Sequence, residues 1–191
     1  MDAANHLGID EALSAFADFA LGAGLSPQVE ALIGEAGRLR DRPLEALPLL
    51  ERARAAAPRH PAPVIALYRF YFYGHQLALA RAAGEDALAI ARTALGPDFG
   101  DAPPSDEAAR YDAAVRFYLF TLKGLAYLNM RMGDLEDAHL LLAELRRLDP
   151  GDRVGGALLA HVLERHEQGE EPGPICASSS YPARGWGGAP P

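Results

Sequence analysis

The sequence predicts an all-α protein built as a row of helices. Three observations carry that prediction. Apolar residues make up 49% of the chain, and much of that share is alanine and leucine, which favour helix over sheet. Apolar positions recur at spacings of three and four, the period of a helix with one buried face. Between the periodic stretches lie short clusters of Gly, Pro and Asp, which stop helices.

The elements follow in order. Ile9, Leu13, Phe16 and Ala20 set an amphipathic helix over Ile9–Leu21. Ser26-Pro27 reads as a cap followed by a first-turn proline, so a second helix starts at Pro27 and runs to about Arg40. Asp41–Pro43 breaks it and starts a third, which reaches about Ala57. The prolines of Ala57–Pro63 stop that one.

The next stretch, Val64–Ala83, contains "YRFYFY" at Tyr68–Tyr73, five of the chain's fourteen Tyr and Phe residues. The alternation alone suits a strand. Turn residues do not bound it within strand length, and the apolar pattern continues through Leu77, Leu79 and Ala80. The segment therefore reads as one helix of about twenty residues, with Gly74 inside it for close approach to a neighbour. Gly84–Gly96 is a short helix and Gly96–Asp106 a loop. Glu107–Met132 is a long helix that holds a second aromatic run, "RFYLF" at Arg116–Phe120. Gly133-Asp134 turns the chain into Leu135–Leu148, and Arg153–Glu167 is the last helix. Residues 169–191 hold five glycines and five prolines, a composition expected to stay disordered. The expected division is residues 1–26 as an N-terminal helix and connection, 27–168 as the helical domain and 169–191 as a tail.

Charge and cysteine content exclude several classes. The formal net charge is −8, which disfavours a non-specific hold on nucleic acid or an anionic membrane. The single cysteine, Cys176, permits no internal disulfide and suits a reducing compartment. The start is acidic without an apolar signal core, and no stretch has the ~20 uncharged apolar residues of a membrane span. A cytoplasmic protein is expected. Among 18 basic residues one is lysine, Lys123. The arginine, alanine and glycine content fits a GC-rich bacterial genome.

A spacing pattern joins the helices. Ala138 lies twelve residues after Ala126 and twelve before Pro150, with Gly133 between the helices. Ala46 lies twelve after Gly34 and twelve before Pro58. Ile33 and Leu125 occupy matching places in the first helices, and Leu50 and Leu142 in the second. Two helices approach closely where both carry small side chains, and large apolar residues one turn away fill the adjoining space. A middle unit is placed on Ala87, Ala91 and Ala94, with Gly96-Pro97 as its stop.

These residues resemble the tetratricopeptide repeat (TPR) family, over roughly Pro27–Pro150. The resemblance implies a TPR-like α-α superhelix of about three helix pairs with flanking N- and C-terminal helices. It also implies a non-catalytic module that binds a partner protein or peptide in a concave groove lined by the first helices of the pairs. Both aromatic runs fall in such first helices, so they divide between packing and groove.

Few residues suggest chemistry. No phosphate loop, dinucleotide fingerprint, nucleophile elbow or HExxH occurs. Glu136 and His139 have di-iron spacing but no second copy. His161 and His166 do not converge on one helix face. No cofactor or metal is expected, and His75 reads as a hydrogen-bonded core histidine. Phe120, Lys123, Tyr127 and Arg131 form a basic and aromatic stripe. With Arg69, Tyr73 and Gln76 from the preceding unit, and Arg38 from the first, they make the candidate peptide-binding groove, suited to an acidic segment or a C-terminal carboxylate. Two alternatives are a carrier that encloses a small ligand in the aromatic cluster and a homo-oligomeric assembly protein.

Overall fold

A computed structural model describes residues 25–169. The expected helix at Ile9–Leu21 and the tail beyond Gly169 lie outside the described residues. Those described form eight helices and no strand, so the fold is all-α. They are α1 (Pro27–Arg38), α2 (Pro43–Ala56), α3 (Pro61–Tyr73), α4 (Leu77–Leu95), α5 (Asp106–Tyr111), α6 (Ala113–Met132), α7 (Leu135–Leu148) and α8 (Ala157–Glu167). No described helix is long and apolar enough to cross a membrane.

Local chemistry sets the boundaries. The Ser26 hydroxyl accepts from the Val29 amide at the start of α1, and Pro27 follows it. Proline also opens α2 and α3. Gly133 ends α6 in the left-handed region at φ 83°, which costs glycine little.

Several boundaries differ from the sequence expectation. Val64–Ala83 is not one helix: α3 ends at Tyr73 and the chain turns through Gly74, His75 and Gln76 before α4. Gly74 is the cap residue of α3, and His75 takes φ 56°. His75 is exposed in this turn, not a core histidine. The segment from Gly84 belongs to α4, which runs unbroken to Leu95. The long helix expected from Glu107 is also two. The Asp112 carboxylate accepts from the Ala114 and Val115 amides at 2.8 and 3.0 Å, so it caps a new helix. The last helix begins at Ala157, after left-handed Asp152 and Gly155.

Consecutive helices pack on one another except α4 and α5, which a loop separates, and contacts that skip one helix join α1 to α3, α4 to α6 and α6 to α8. Ala46, Ala80 and Ala138 are each the fourth residue of their helix, and each is 0% exposed. Ala80 follows Ala46 by 34 residues. Ala80 therefore fills the place first given to Ala87, because the turn lies at 74–76 and not near Gly84. Gly34 is corrected too. It is exposed, whereas Ala36 is buried in one cluster with Ala46 and Leu50. The connection between α1 and α2 spans residues 39–42, longer than Gly133-Asp134, so the helix phases differ.

The core is largest around α6, whose buried residues fall on every side. Its neighbours α4, α5, α7 and α8 cover it. Tyr68 reaches this region from α3. A Cβ on Gly84 would stand 2.7 Å from Leu125 Cδ2 and 3.6 Å from Tyr68, and one on Gly124 would stand 3.2 Å from the Tyr68 hydroxyl. Two glycines on facing helices thus make the space that a tyrosine at the crossing requires.

A groove between the first three helices

The two aromatic runs have different surroundings. In α3, Tyr68 stacks with Phe72 at 6.0 Å, and Phe72 meets Tyr127 of α6 at 6.2 Å. This side faces α6. Burial, followed by the neighbouring Tyr127 and Tyr73, pushes the Tyr68 hydroxyl up to about 12. Phe70 and Tyr73 border the space beside α1 and α2, and Tyr73 is 56% exposed. In α6 the second run is core: Phe117, Tyr118 and Phe120 are all buried. Phe99 of the loop packs edge-on against Tyr118 at 5.0 Å.

Phe70 and Tyr73 line a groove of about 650 Å³ with Arg69 and Gln76. Ile33, Ala36 and Gly37 of α1, Arg40 of the connection, and Pro43 and Leu50 of α2 complete it, with Ala66 and Gly74. The floor is apolar. Among the described residues the charged ones that line it are two arginines, Arg40 and Arg69.

The candidate residues therefore separate. Arg69, Tyr73 and Gln76 share this groove. Tyr127 and Arg131 lie along the same aromatic ribbon: Tyr73 meets Phe72 edge-on at 5.5 Å, Phe72 meets Tyr127, and Arg131 donates to the Tyr127 hydroxyl at 3.2 Å. Phe120 and Lys123 are not groove residues, which corrects the stripe. Lys123 is 6% exposed, and its Nζ donates to the Val154 carbonyl at 2.6 Å. The 149–156 segment closes over it, held by the Asp149 carboxylate, which accepts from the Val154 amide at 2.9 Å. Burial holds the Lys123 ammonium below its ordinary range, and Asp152 opposes that shift. Arg38 is exposed on α1 and is not among the groove's lining residues.

Sequence reasoning missed the α1 and α2 side of the groove. In the sequence Ile33 and Leu50 read as packing residues, and Arg40 as a helix end. Spacing within one helix does not report which neighbour faces it.

A second, smaller space lies between Tyr68, Gly84, Phe117, Phe120 and Gly124. It holds about 30 Å³, room for a water and not for a cofactor. Among the described residues no group of three or more His, Cys, Asp or Glu is placed to hold a metal. His139 instead pairs with Glu167 across α7 and α8 at 2.7 Å.

No family model matches the chain, and no solved structure does. Among curated proteins it is similar to the "Uncharacterized 19.8 kDa protein in nifW 5'region" of Azotobacter chroococcum mcd 1. The two are 37% identical over 133 residues, which is 62% of this chain and 69% of the relative. On that identity and coverage, the chain belongs to the family of that 19.8 kDa protein.

Proposed function

We propose that the chain is a non-catalytic TPR-like interaction module that binds a partner protein or peptide in the groove between α1, α2 and α3. The observation that carries this reading is the groove itself: an apolar floor with two arginines and a half-exposed tyrosine, on packed helices. A stacked helical scaffold presents such a face with little ordering cost on its own side. The 34-residue step from Ala46 to Ala80, and the shared fourth-residue place of Ala138, support the TPR-like reading.

The test is titration of a fluorescent peptide panel against wild type and an Arg69→Glu/Tyr73→Ala variant. The relative is named for the nifW 5' region, so overlapping peptides of the nifW product are a first panel to offer. A peptide held by wild type should lose at least about tenfold in affinity with the variant, since aromatic and arginine anchors dominate such contacts. Equal binding by both proteins would move the site elsewhere. The buried Lys123 is unsuited to this test, because changing it alters packing.

A further inference from the structure

The groove runs along the C-terminal half of α1, and its chemistry complements the residues that precede that helix. We propose that it is the docking site of the chain's own N-terminal segment, residues 1–24, so that the module carries a built-in ligand that a partner displaces. This rests on the groove being the binding face named above.

Three features converge. The first is charge. Among the described residues, Arg40 and Arg69 line the groove and no acidic residue does. Residues 1–24 contain Asp2, Asp10, Glu11 and Asp18 and no lysine or arginine. The second is pattern. Ile9, Leu13, Phe16 and Ala20 recur on one helical face, a stripe that matches a floor of Ile33, Leu50, Ala66 and Phe70. The third is reach. Residues 22–26 join the segment to Pro27, a link of ordinary length for neighbouring helices. Leu25 already packs against Val29, Leu32 and Ala53. Thirteen helical residues span about 20 Å, close to the length of α1. Folding back along α1 brings Leu13 and Ile9 level with Ala36 and Arg40. An end pair in a stacked array also needs a cover for its outer apolar surface.

The experiment is disulfide trapping in the full chain with Cys176→Ser. Leu13→Cys is paired with Ala66→Cys in the groove, and in a control with Leu140→Cys, which is on α7 and 66% exposed in wild type. Under mild oxidation the groove pair should close within one chain at least about tenfold faster than the control, since a disulfide needs Cα atoms within about 7 Å. Adding Arg40→Glu and Arg69→Glu should slow closure by about tenfold at low salt and by less at high salt. Equal rates for the two pairs, or bridges only between two chains, would overturn the proposal. The assay needs no partner. Peptide binding without trapping would remove the internal ligand and leave the groove as the binding face. Trapping without peptide binding would keep the segment in the groove and count against the partner reading.

Discussion

Lys123 is the residue where composition pointed to a surface role and packing assigned a buried one. Its ammonium satisfies the Val154 carbonyl under the 149–156 segment. Lys123→Met should cost about 1–3 kcal/mol, the penalty of a buried acceptor left without a donor, read as a shift in urea midpoint. Arg131→Glu, at the exposed end of the same helix, should stay within about 0.5 kcal/mol of wild type. His60 gives a pH-dependent counterpart. Its Nδ1 accepts from the Ala62 amide at the start of α3, while Nε2 is buried without a partner. Burial lowers its proton affinity below the ordinary 6.5. The unfolded chain therefore binds the proton more readily than the folded one. Stability contributed by neutral His60 is complete above that value and declines as pH falls from 6.5 toward the folded value. His60→Asn keeps an acceptor for the cap and cannot titrate. Thermal melts from pH 7.5 to 5 should show a smaller decline for the variant than for wild type.

At the scale of elements, two glycines with similar sequence settings have opposite roles. Gly34 is exposed in α1, with Arg38 at 3.8 Å as its near neighbour. Gly84 is buried where α4 meets α6, against Leu125 and Tyr68. Gly34→Ala should stabilise by about 0.5–1 kcal/mol through helix propensity. Gly84→Val should destabilise by about 2–3 kcal/mol, because both neighbours are held in packed positions. Denaturant midpoints of the two variants should move in opposite directions. The misplaced boundary at 74–76 belongs to this scale too. Apolar periodicity continues across the turn, and the left-handed residue is His75 rather than a glycine, so no familiar stop marks it. A step of 34 residues from Ala46 lands on Ala80 and is the sequence signal for this turn.

For the molecule as a whole, contacts run mainly between chain neighbours, so stability should be graded along it. Helix α6 carries thirteen buried residues, whereas α8 buries Leu163 alone among its own residues. Native-state hydrogen exchange should find the slowest amides in α6 and faster ones in α8. Uniform exchange across both would mean that the described helices open as one unit. Arg81 adds a long-range tie from α4 to Asn129 of α6 at 3.1 Å and to Asp134 in the turn after it at 2.6 Å.

The sequence by itself determined the helical class, the extent of α7, the capped start of α1 and the clustering of aromatics on α3. These depend on residues close in the chain: periodicity, caps and proline stops. Tertiary structure decided which face of each helix is buried. It placed Lys123 under a loop, set Tyr68 between two glycines, and assembled the groove from three helices. Those outcomes depend on the phase of one helix against another, which connection length and side-chain volume fix in three dimensions. The apolar pattern marks that a face is buried without naming its neighbour.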